Sequence, residues 1–106
     1  MNKILKLNIS DIIIDPALES EMISKACSRK MKMDVAGVCQ CGDYLLISLE
    51  ENDEERELIY VLAPFNSVNV DEIAAEITSR YFSGFSMIGG FDLKSEKWAL
   101  FAVSQA

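Results

Sequence analysis

The chain contains no histidine. Imidazole is therefore missing as general base, proton shuttle and metal ligand. Glycine and proline are sparse, 5 and 2 residues, which rules out collagen-like and low-complexity chains. The three cysteines, Cys27, Cys39 and Cys41, are odd in number, unlike the disulfide framework of a small secreted domain. No apolar run approaches the roughly 20 residues of a membrane-spanning helix. Met1 to Leu7 opens like a signal peptide, but Asn8, Ser10, Asp11 and Asp15 interrupt the apolar stretch such a peptide needs. A cytoplasmic location is expected. Basic charge is scarce too: 10 Lys and Arg stand against 17 Asp and Glu, a net charge of −7. Phosphate backbones and anionic lipids are held by clustered cations, so neither nucleic acid nor membrane is expected as a partner.

What is present is a folded composition. Half of the 106 residues are hydrophobic and a quarter are charged, which fits one domain spanning 1–106. That apolar content is rich for a small monomer, so part of it is expected in an interface between subunits. A dimer is favoured, because twofold dimers are the commonest closed assembly.

Leu5, Leu7 and Ile9 alternate with polar residues, as a half-buried strand does, and Ile12-Ile13-Ile14 is read as its continuation. Asp15-Pro16 then starts a helix reaching to about Lys30, with Asp as cap and Pro in the first turn. Its apolar stripe is expected to be Leu18, Met22 and Ala26, with Ile23 and Cys27 beside it. Val35 to Glu50 is extended and interrupted at Gly42-Asp43, by either a tight turn or a bulge. Leu58 to Leu62 reads as a central strand covered on both faces and stopped by Pro64. Asn69 to Glu72 resembles a capping box opening a second helix, with Val70, Ile73, Ala74, Ile77 and Tyr81 on one face and Ser83-Gly84 as its stop. Phe85 to Leu93 and Trp98 to Val103 form two final strands around a turn at Lys94 to Lys97. No internal repeat, low-complexity tract or linker is visible. The order β-α-β-β-α-β-β implies an α+β two-layer sandwich, with a ferredoxin-like core and an extra C-terminal strand.

Four groups of residues could carry function. Cys39 and Cys41 share a strand face, and Cys27 could join them as a soft-metal ligand or redox thiol. The spacing is not that of a zinc site and no histidine completes one, so packing thiols are the expected outcome, with no metal and no cofactor. The acidic run from Glu50 to Glu57 could hold a hard cation but lacks calcium-loop spacing, and reads as a solvated turn. Lys25, Arg29, Lys30 and Lys32 form a basic stretch that complements the helix end or meets the acidic turn of a neighbouring subunit. Arg80, Tyr81, Phe85 and Trp98 are the candidate ligand or interface residues, in the aromatic region from the second helix onward. No catalytic motif is identified. The expected function is a non-catalytic, self-associating interaction or regulatory module. The alternative is a ligand-binding or enzymatic domain with a pocket near the second helix and the aromatic C-terminal strands.

Overall fold

The computed structural model describes residues 3–54 and 57–105. In chain order these form strand β1 (Lys3–Asn8), helices α1 (Ile9–Ile14) and α2 (Pro16–Ala26), strands β2 (Met33–Cys41), β3 (Tyr44–Glu51) and β4 (Glu57–Pro64), helix α3 (Val70–Phe82), and strands β5 (Ser86–Leu93) and β6 (Glu96–Gln105). The described strands pair into two antiparallel three-stranded sheets, ordered β1-β3-β2 and β4-β6-β5. The chain is therefore α+β. The ferredoxin-like order is not the order of these pairings, because each sheet draws its strands from one half of the chain.

Local chemistry sets most boundaries. Asn8 caps α1 by accepting the Ser10 amide at 2.9 Å, so Ile12 to Ile14 are helical and do not extend the strand. Ile12 is consequently buried, while Ile14 is 80% exposed. Asp15 caps α2 through the Leu18 amide at 3.1 Å, and Pro16 follows it. The helix stops at Ala26, short of Lys30. Asn69 caps α3 by accepting from the Asp71 and Glu72 amides. Its own amide donates to the Ser67 hydroxyl, the place a capping box would give to Glu72. Gly42-Asp43 is a two-residue turn joining β2 to β3, which settles the choice between turn and bulge.

The two halves repeat one plan of strand, helical segment and hairpin, with the last strand of each in the centre of its sheet. Each hairpin closes through two residues, and the first of these, Gly42 or Lys94, has a positive φ, 58° and 57°. Counted back from the turn, both hairpins carry a register shift at the same place, between Val35 and Gly37 and between Met87 and Gly89. The plan recurs in the backbone although the residues do not.

The inner face of the first sheet presents Leu7, Leu45, Ile47 and Leu49 to Tyr60, Leu62, Trp98, Leu100 and Ala102 of the second. Alternate residues of β6, Ala99 and Phe101, point the other way and pack with Phe65, Ile73, Ile77 and Phe85, so α3 covers the far face of the second sheet. Gln40 joins the sheets at one side. Its amide nitrogen donates to the Asp92 carbonyl at 2.7 Å, and its oxygen accepts from the Asp92 amide at 3.1 Å. The strands come close at Gly89 too, where a Cβ would stand in van der Waals contact with Val38, 3.4 Å away. Strand β4 is an edge strand, not the central one expected, and α2 lies along it. None of the described helices is long and apolar enough to cross a membrane.

Candidate functional site

The packing of α2 buries only part of the expected stripe, Ile23 and Cys27 with Ala26 beside them. Leu18 and Met22 are 54% and 49% exposed, while Glu19, Ser20 and Ile23 are buried. The reason lies in the open edge of β4. The Tyr60 amide donates to the Ser24 hydroxyl at 2.9 Å, and the Leu62 amide donates to the Ser20 hydroxyl at 2.8 Å. Two buried amides left unpaired would cost roughly 1–3 kcal/mol each, which outweighs the partial exposure of two flexible apolar side chains. The signal for this was two serines one helical turn apart, a spacing that places both hydroxyls on one face.

Between α2 and β4 runs a groove of about 560 Å³, lined by Pro16, Ala17, Ser20, Glu21, Ser24 and residues 59–62. Its one carboxylate, Glu21, pairs with Lys25 at 3.0 Å. The groove can receive an apolar group but offers no proton-transfer pair.

A second cavity, about 380 Å³, opens between the sheets among Asp34, Val35, Glu50, Leu58, Tyr60, Ser86 and Ile88. The Tyr60 hydroxyl accepts from the Val35 amide at 3.1 Å, bracing one sheet on the other beside the β2 register shift. Cys27 is buried in the core between the sheets. Burial pushes its thiol up to about 11, the Asp34 charge adds to this, and a hydrogen bond from Tyr60 opposes it. The thiol stays protonated at neutral pH and is a poor nucleophile. Cys39 and Cys41 are exposed. The three sulfur candidates are therefore not brought together, and no group of three or more metal-ligating side chains exists among the described residues.

The four aromatic-region candidates also part company. Arg80 pairs with Glu76 at 2.7 Å, donates to the Pro64 carbonyl at 3.2 Å and lies over Phe101, 4.8 Å from the ring centre. Its guanidinium is committed to fastening α3 to the second sheet. Tyr81 is exposed and stacks edge-on against Phe82. Phe85 packs beneath α3. Trp98 is buried with its indole nitrogen unpartnered. Of the four, only Trp98 lines the cavity of about 340 Å³ between α3 and β5, alongside Phe65, Ile73, Ile77, Met87 and Phe91.

The acidic and basic turns meet within one chain: the Asn52 amide donates to the Lys32 carbonyl at 2.8 Å. Asn52 also bonds Asp34 through its side chain and accepts from the Glu54 amide. Glu55 and Arg56 of the acidic run lie outside the described residues. Burial raises the pKa of Glu19, and the charges of Asp11 and Asp15 raise it further. No family model, curated protein or solved structure matches the chain.

Proposed function

We propose that this protein is a non-catalytic, self-associating interaction module acting in the cytoplasm, with a dimer as its working form. The supporting observation is where the surplus apolar residues lie. Ile4, Ile13, Ile14, Leu18, Met22, Met31, Tyr44, Val68, Val70, Tyr81, Phe82, Met87 and Ile88 are all exposed, while the core closes without them. A contiguous apolar patch is commonly covered by a partner, and Ile13, Ile14, Leu18 and Met22 follow one another along α1 and α2. The groove between α2 and β4 holds one carboxylate, already paired with Lys25, and the buried thiol is held neutral. Free rather than bonded cysteines agree with a reducing compartment. Light scattering at micromolar concentration should report a dimer. A monodisperse species of 11.8 kDa persisting to high concentration overturns the reading.

A second reading is favoured by the cavity between α3 and β5, which Trp98 lines together with Phe65, Ile73, Ile77, Met87, Phe91, Asp92 and Lys97. A small ligand seated there would shift the emission of the chain's single tryptophan. A thermal-shift screen of small amphiphilic compounds that moves neither melting temperature nor emission removes that reading.

A further inference from the structure

This inference rests on the self-association proposed above and names its surface. Helix α2 turns polar side chains inward and leaves Leu18 and Met22, one turn apart, facing water, with Ile13 and Ile14 exposed just before it. Such a ridge is the shape that packs between ridges of another helix. Its ends differ in charge. Asp11 and Asp15 gather at the N-terminal end, close enough for both to act on Glu19. Lys25 stands in the last turn, and Arg29 and Lys30 follow it on the exposed turn. Glu21 and Lys25 already pair along the helix, so the middle of the surface is neutral.

We infer that α2 is the dimer contact, pairing antiparallel with α2 of a second copy about a twofold axis through its exposed Leu18–Met22 ridge. A twofold is what the charge pattern selects. It sets Leu18 of one copy against Met22 of the other and carries the basic end of each helix onto the acidic end of its mate. Helix dipoles then oppose one another favourably as well. A parallel pairing would place acid on acid and base on base. A partner that is not this chain would need the same complementary order, which the chain itself already carries.

The test is light scattering of the full chain over a concentration series, for wild type and variants. Leu18→Glu and Met22→Glu should each weaken dimerisation by about thirtyfold or more, as loss of a central apolar contact does. Phe82→Glu, on the exposed end of α3, should leave it unchanged. Arg29→Glu and Asp11→Arg should each weaken the dimer several-fold, and the two together should restore it. That rescue keeps the test decisive even if an apolar-to-acid variant is poorly folded. A wild-type dimer that ignores Leu18→Glu and Met22→Glu, or charge swaps that fail to rescue, overturns this surface and leaves self-association standing. A wild type that is monomeric throughout overturns both.

Discussion

Helices α2 and α3 hold corresponding places in two copies of one strand–helix–hairpin plan, yet they are fastened by different means. Helix α3 lies on the face of its own sheet, where Ile73 and Ile77 meet Phe65, Ala99 and Phe101, and Arg80 clamps the junction. Helix α2 lies along the edge of the other half's sheet and is bonded to it by the hydroxyls of Ser20 and Ser24. A sheet face offers apolar area, whereas a sheet edge offers unpaired amides. The helix that meets an edge must therefore present oxygen beside Ile23, and Leu18 and Met22 are left facing water.

The sharpest way to break that contrast is to remove hydroxyls from each helix. Ser20→Ala with Ser24→Ala should lower unfolding free energy by about 3 kcal/mol, because two amides of β4 lose their acceptors. Thr78 in α3 bonds only its own helix, to the Ala74 carbonyl at 3.1 Å. Thr78→Ala should therefore change stability by within about 0.5 kcal/mol. Equal losses in urea unfolding of the two proteins would deny that α2 serves as the edge partner of β4.

The converse removal is Arg80→Met, which keeps the aliphatic stem but loses the stacked charge and its bonds. A loss of about 1–2 kcal/mol is expected. An unchanged midpoint would mean that the apolar contacts alone hold α3.

Glu19 sharpens the comparison by pH. Its pKa is raised in the folded chain, so the folded form holds its proton more tightly than the unfolded one. The stability this gives is full below the unfolded value of 4.5 and is lost as pH rises through the folded pKa. Glu19→Gln should thus stabilise at neutral pH, with the gain fading in acid. A gain independent of pH would place the effect elsewhere than in the buried charge.

The smallest effects belong to the two turns. Gly42 and Lys94 share a left-handed backbone, and a Cβ at 42 would meet open space. Gly42→Ala should cost about 1 kcal/mol through backbone strain alone, and Lys94→Gly should gain at most about 1 kcal/mol. Thermal unfolding that shows the opposite signs would dissociate the two hairpins.

Features that depend on neighbours in sequence were legible. Asp15 and Asn69 act as helix caps, as their short acceptor side chains require. Gly84 ends α3 with a φ of +96°, a conformation most residues avoid. Asn8 carried the same capping signal, but the run Ile12-Ile13-Ile14 favoured strand on propensity, and packing of Ile12 into the core overrode it. The candidate site was legible only in part. Cys27, Cys39 and Cys41 shared a chemistry, but whether sulfurs converge depends on the sides of a sheet they occupy.

By itself the sequence determined most element types (though not α1), most caps and turns, the α+β class and the acidic, histidine-free chemistry. All of these follow from residue type and short-range spacing. Only the tertiary structure decided that β4 lies at an edge, that the sheets divide between the halves, that Arg80 is consumed by packing, and which face of α2 meets the protein. A helix read from its own residues is turned by its hydrophobic stripe. Here unpaired amides on a strand 36 and 42 residues away claimed Ser24 and Ser20 instead, and no local pattern records the cost of leaving those amides bare.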